Sequence, residues 1–215
     1  MSDAPEKPIA IFGGTFDPVH FGHLRTALEL VEALNLDHLR LMPSANPPHR
    51  DAPQRSAQDR ANMVALAVAE EPRLRIERCE LERDGPSYTV DSLLHIRKQI
   101  GEKRRLYLVV GSDAALKLPT WSRWERLLDL AHLLIIARPG WVIPPGHRVS
   151  QWLAGHRVSE PSAVRGAAGC VLIHELRQLA ISATEIREMI ALGRSPRYLL
   201  PESVLSYIRE RKLYG

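Results

Sequence analysis

Ile9-Ala10-Ile11-Phe12-Gly13-Gly14-Thr15-Phe16-Asp17-Pro18-Val19-His20-Phe21-Gly22-His23-Leu24 decides how this chain is read. Residues 9–12 are an apolar run, which predicts a buried strand. Gly13 and Gly14 then permit a tight turn and a close approach of backbone to a ligand. Beyond them Leu24, Ala27, Leu28, Val31 and Leu34 recur at helical spacing, which predicts an amphipathic helix. A strand, a glycine turn and a helix start make an anion site, because free backbone N–H groups and the positive end of the helix dipole face outward there. His20 and His23 are three residues apart, so both project to one side of the first turn. Two imidazoles beside a phosphate cradle can donate hydrogen bonds to phosphoryl oxygens as charge builds on them. A glycine pair after a strand, or a single histidine, is ordinary by itself; the combination carries the reading.

Working outward, strand and helix signals alternate, as in a parallel sheet of βαβ units. Residues 38–42 read as a second strand, ending in Pro43-Ser44-Ala45-Asn46-Pro47-Pro48-His49-Arg50. The prolines forbid a helix there. His49 and Arg50 are either an exposed pair on a connector or cations carried to phosphates at a strand's carboxyl end. Ser56 with Asp59 predicts a capped helix through Met63, Ala67 and Val68, ending near Pro72. Residues 74–78 alternate as a strand. Ser87-Tyr88-Thr89 leads into a helix through Leu93, Leu94, Ile96 and Ile100, with Thr89 as the expected cap and free N–H groups suited to a carboxylate or phosphate.

Residues 105–110 form a nearly unbroken apolar run, expected of a central parallel strand. Gly111-Ser112-Asp113 follows, where Asp113 can accept from ribose hydroxyls, cap a helix, or do both. Ser122 and Glu125 have capping-box spacing. Of Trp121 and Trp124, one is expected in the core and the other stacked on a flat heteroaromatic ring. Residues 133–137 are a further strand with Arg138-Pro139-Gly140 at its tip. Residues 141–168 show no clear period and are expected to be loops around one short helix near 149–153. Residues 171–173 are a last strand. Ile181-Ser182-Ala183-Thr184-Glu185-Ile186-Arg187 opens a helix with Ser182 and Glu185 in capping-box spacing, and a helix through Val204, Leu205 and Ile208 follows.

Composition sets the bounds. The 215 residues, 45% hydrophobic and 25% charged, suit one globular domain. Residues 1–7 are expected to be a loose tail and residues 8–215 a single domain with a small helical part over 182–215. No segment reads as a membrane span or leader. Two cysteines without metal-ligand spacing fit a reduced cytoplasmic setting. The net charge of +4 suits nucleic acid or anionic small molecules. The arginines are dispersed and not interleaved with aromatics, which favours nucleotide substrates over polynucleotides.

The glycine-histidine block resembles the signature of the nucleotidyltransferase superfamily that shares a Rossmann-like fold with class I aminoacyl-tRNA synthetases. Together with Pro-Pro-His-Arg at 47–50, Ser-Tyr-Thr at 87–89, Gly-Ser-Asp at 111–113, Ala-Arg-Pro-Gly at 137–140 and the Ser-Ala-Thr-Glu-Ile-Arg block, nearly the whole chain resembles the bacterial nicotinate mononucleotide adenylyltransferase family. That resemblance implies a doubly wound parallel α/β sheet with helices on both faces. It implies adenylyl transfer from ATP to nicotinate mononucleotide, giving nicotinate adenine dinucleotide and pyrophosphate. His20, His23 and Arg187 would be catalytic. Gly13, Gly14, Thr15, Phe16, Gly111, Asp113, Ser182, Thr184 and Ile186 would bind ATP. His49 and Arg50 would take the mononucleotide phosphate, the backbone of Tyr88 and Thr89 its carboxylate, and Trp121 its pyridine ring. Mg²⁺ would arrive on the ATP phosphates, with no residue named as its ligand. Neither nucleic acid nor membrane is an expected partner. Rival readings are another small-molecule nucleotidyltransferase, which would share only the first block, a non-catalytic nucleotide sensor, and a basic RNA-binding relative of the synthetases.

Overall fold

The computed structural model describes residues 6–46, 53–176 and 179–215. Its strands are β1 (Ile9–Gly14), β2 (His38–Pro43), β3 (Leu74–Ile76), β4 (Leu106–Gly111), β5 (His132–Ala137), β6 (Arg157–Val158) and β7 (Val171–Glu175). They form one sheet in the order β3-β2-β1-β4-β5-β7-β6, and every pairing is parallel. The helices are α1 (Phe21–Ala33), α2 (Ala57–Val68), α3 (Thr89–Ile100), α4 (Ser112–Leu116), α5 (Leu127–Leu130), α6 (Ser150–His156), α7 (Ala183–Ala191) and α8 (Glu202–Glu210).

Both sheet faces are covered, so the central strands are apolar at nearly every position, the buried His132 at the start of β5 excepted. Alternation sorts their side chains between two cores. Tyr107, Val109, Leu134 and Ile136 join one core with α1, α2 and α8 residues such as Leu30, Met63 and Leu205. Leu106, Leu108, Val110, Leu133 and Ile135 join the other with Leu93 and Ile96 of α3. The chain winds from β1 outward to β3, then returns to β4 and winds the other way. Strand order therefore reverses between β1 and β4, and the connections leaving their carboxyl ends diverge and open a crevice.

Several local expectations shift. The buried stripe of α1 is Thr26, Ala27, Leu30 and Val31, continued by Leu34 beyond the helix, while Leu24 and Leu28 lie at its half-buried flanks. Ser56 caps α2 as expected, its Oγ accepting the Asp59 N–H at 3.1 Å. Thr89 is the first helical residue of α3 and not its cap; Tyr88 holds the cap position without a side-chain cap bond. The Ser122–Glu125 box does not form, because Arg123 turns left-handed (φ 55°) and leads straight into a short 3₁₀ turn at Trp124–Arg126. Ser182 holds the cap position of α7, but its side chain makes no cap bond. In residues 141–168 the helix α6 starts one residue later and runs three residues further than expected. The two-residue edge strand β6 has too few residues to show a period. Of the expected tail, residues 1–5 lie outside the described residues, and Lys7 is tied down by its Nζ donating to Asn35 Oδ1 and its carbonyl accepting from Arg104 Nε.

Candidate active site

A cleft of about 1530 Å³ opens at the carboxyl ends of β1 and β4. Gly13, Gly14, Thr15 and Phe16 form one wall where β1 ends. The two glycines do not make the expected turn but are the last residues of β1, in register with Met42 and Pro43, and the chain turns after them at left-handed Phe16 (φ 50°). Gly14 is glycine because a Cβ there would sit 2.8 Å from the Phe16 ring, itself buried to hold the turn. His20 is the residue before the first turn of α1 and donates its backbone N–H to His23 Nδ1 at 3.3 Å. Their rings stack with centroids 3.7 Å apart and planes tilted 31°. Gly22 lies between them because a Cβ would come within 2.9 Å of His20 Nδ1. That contact explains the glycine of the His-x-Gly-His pattern in physical terms.

His23 lines the cleft, whereas His20 lies buried behind it. Burial pushes the His20 imidazole down to about 4, because a charged ring would lose its solvation. At neutral pH this histidine is a neutral donor and acceptor. Its Nδ1 is buried and has no hydrogen-bond partner.

Arg187, in the first turns of α7, lines the same cleft from across the turn. Its Nη1 donates to the Asp17 carbonyl at 2.8 Å and its Nη2 to Thr184 Oγ1 at 3.3 Å. Thr184 is exposed, Ser182 half-buried, and Ala183 between them faces the cleft. Ile186 departs from expectation. Its side chain is fully buried in the core and its N–H is bonded to the Ser182 carbonyl, so neither faces the cleft.

The opposite wall carries Tyr88 and Thr89 at the start of α3, Gly111 at the end of β4, Asp113 just beyond it, and Trp121. Of the two N–H groups expected to meet a carboxylate, that of Tyr88 donates instead to the Pro86 carbonyl at 3.1 Å, which leaves that of Thr89. The tryptophan question divides cleanly. Trp124 is buried and packs edge-on to Trp152 at 4.8 Å, while Trp121 is half-buried and faces the cleft. His49 and Arg50 lie outside the described residues.

Arg138, placed by the sequence at the tip of β5, lines the cleft as well, where it adds a cation. Lys117, a further cation, and Trp141, a further ring, went unsignalled. Arg60 is a second omission. It is 1% exposed, and its guanidinium donates to the Thr15 and Ser44 carbonyls at 2.7 Å each and to the Arg55 carbonyl at 3.2 Å. It thereby fastens the β1 turn, the end of β2 and the start of α2 to one another. Among the described residues no group of three or more His, Cys, Asp or Glu could hold a metal ion, and no helix is long and apolar enough to cross a membrane.

Comparison with known proteins agrees with this geometry. The chain is 48% identical over 208 residues to a probable nicotinate-nucleotide adenylyltransferase of Pseudomonas putida (strain W619), covering 97% of this chain and 95% of the relative. It is 46% identical to a probable nicotinate-nucleotide adenylyltransferase of Pseudomonas aeruginosa (strain UCBPP-PA14), covering 97% of each chain. Among solved structures, Plasmodium falciparum nicotinic acid mononucleotide adenylyltransferase complexed with NaAD superposes with a TM-score of 0.69 at 18% identity, covering 97% of this chain and 98% of that one, which speaks to the fold. Residues 11–189 match the cytidylyltransferase-like family model, and with the paired histidines and a switch-point cleft in place, the chain belongs to the cytidylyltransferase-like family.

Proposed function

We propose that this chain transfers the adenylyl group of ATP to nicotinate mononucleotide, releasing pyrophosphate and giving nicotinate adenine dinucleotide. One observation carries the reading. A single cleft joins a wall of nitrogen donors, with His23 and Arg187, to a second wall with an uncapped helix start at Tyr88 and Thr89 and the Trp121 ring. Its volume of about 1530 Å³ exceeds the roughly 300–1,000 Å³ typical of a single small-ligand pocket, so two nucleotides fit side by side. Relatives at 46–48% identity over almost their whole length bear the matching name.

The residues divide the work. The stretch Gly13–Phe16, the His20–His23 pair and Arg187 hold the triphosphate. Gly111 and Asp113 receive the adenosine. The N–H groups at the start of α3 meet the nicotinate carboxylate, where a negative charge is favoured, and Trp121 stacks on the pyridine ring. The resemblance assigns the mononucleotide phosphate to His49 and Arg50. The attacking phosphate is already ionised, so no base is needed to activate it. The site's task is to hold two polyanions in line and to stabilise charge passing to the departing pyrophosphate. Neutral His20, stacked on His23, donates without the repulsion that two adjacent cations would suffer. The nitrogen-donor walls suit phosphate oxygens, and Mg²⁺ arriving with ATP would supply further charge neutralisation there, with no residue of this chain named as its ligand. The two cysteines, unpaired in the structure, accord with a reduced cytoplasmic setting.

The test is pyrophosphate release from ATP with the acid and the amide mononucleotide supplied in turn. The acid is expected to be turned over faster, because the free Thr89 N–H and the positive end of α3 favour a charged acceptor. Equal rates would reject that account of the pocket, and no release with either would reject the function.

A further inference from the structure

Asp17 is a buried carboxylate, 5% exposed, at the centre of the phosphate-binding turn. Three distant parts of the chain meet on it. Its main-chain carbonyl accepts from Arg187 Nη1 at 2.8 Å. Its Oδ2 accepts the Gln54 N–H at 2.8 Å, beside Pro53 and Gln54 where they line the cleft. Its Oδ1 accepts the Tyr214 hydroxyl at 2.5 Å. Tyr214 is itself 5% exposed. The Arg55 guanidinium lies 4.9 Å from its ring centroid, closing the pocket around it. Burial and the bond to Asp17 raise the phenol far above its usual range, so the hydroxyl stays protonated and donates.

The arrangement has a direct consequence for the cleft. Without those partners the carboxylate would be free to turn toward Arg187 and draw that cation inward. With both carboxylate oxygens held by neutral donors, the guanidinium of Arg187 reaches Asp17 only through the carbonyl and stays directed at the cleft.

We propose that Tyr214 is a positioning residue for triphosphate binding, acting through Asp17 to keep Arg187 and the β1 turn in place. This rests on the adenylyl-transfer reading for the identity of the ligand. The prediction concerns one substrate only, since Tyr88, Thr89 and Trp121 lie on the other wall.

The experiment compares wild type, Tyr214→Phe, Asp17→Asn, the double variant and Tyr207→Phe. The last is a control, since the Tyr207 hydroxyl joins α8 to Asp59 of α2 at 2.9 Å without touching the turn. Affinity for a non-hydrolysable ATP analogue is measured by calorimetry, KM and kcat by pyrophosphate release, and folding by thermal melting. Tyr214→Phe is expected to weaken the analogue and raise KM for ATP about tenfold, the weight of one lost hydrogen bond to a charged group. KM for the mononucleotide should move less than about twofold, and the double variant should be no worse than the poorer single one. Unchanged ATP affinity in Tyr214→Phe overturns the proposal. So does an equal shift in Tyr207→Phe, or losses for both substrates that track a lowered melting temperature. Because analogue binding is read without turnover, a wild-type chain that binds but does not transfer would count against the function and leave the positioning result standing.

Discussion

At the scale of single residues, environment decides what each side chain can do. His20 and His23 are the same residue type three positions apart, yet one is buried and the other faces the cleft. His20→Ala is expected to lower turnover by orders of magnitude, since removing one donor to developing charge costs about 2.7–4 kcal/mol. Steady-state kinetics check this, and near wild-type kcat would remove His20 from the mechanism. Trp121 and Trp124 likewise divide by environment. Trp121→Ala should weaken mononucleotide binding with little effect on ATP, measured by titration of each ligand. Trp124→Ala should instead lower stability by about 3–5 kcal/mol in denaturant titration, as for a large side chain removed from a core.

At the scale of elements, helix starts govern the cleft. Gly22 in α1 costs helix propensity, and alanine there is worth up to about 1 kcal/mol to a helix. Its replacement would nevertheless place a Cβ 2.9 Å from His20 Nδ1. Gly22→Ala is therefore expected to lose at least about tenfold in turnover while its melting temperature holds or rises. Parallel kinetic and melting measurements separate the two effects, and full activity would show that the ring can move at no cost. In α2, Ser56→Ala removes the side chain that accepts the Asp59 N–H and should cost about 1 kcal/mol of stability with KM values unchanged. These elements were largely legible in the sequence, because periodicity and caps are written in neighbouring residues. The cap at Thr89 and the Ser122–Glu125 box were misplaced for the complementary reason. The backbone at Tyr88 and Arg123 is set by how α3 and the following turn meet the rest of the cleft.

For the whole molecule, burial of histidines ties folding to pH. His132 is fully buried between the sheet and the Gly166–Cys170 segment, and burial pushes it down to about 4, as it does His20. Both are therefore neutral in the folded chain over a range where they would titrate when unfolded. The unfolded state binds more protons between about pH 6.5 and 4, so stability is full above pH 6.5 and falls as the pH drops through that window. Each group contributes on the order of 3 kcal/mol to that fall. Urea titrations from pH 7 to 4 check it, and His132→Gln should remove about half of the slope contributed by the pair.

The sequence by itself determined the alternating strands and helices, the histidine pair and the helix start bearing Arg187. Each follows from spacing along a few consecutive residues, which backbone geometry converts directly into local structure. Only the tertiary structure decided that Ile186 faces the core, that Trp121 and not Trp124 faces the cleft, that Arg60 binds three loops together, and that Asp17 meets Tyr214. The last two residues are separated by 197 positions. Such contacts depend on how the finished layers pack, and no local pattern encodes which buried polar groups will find one another.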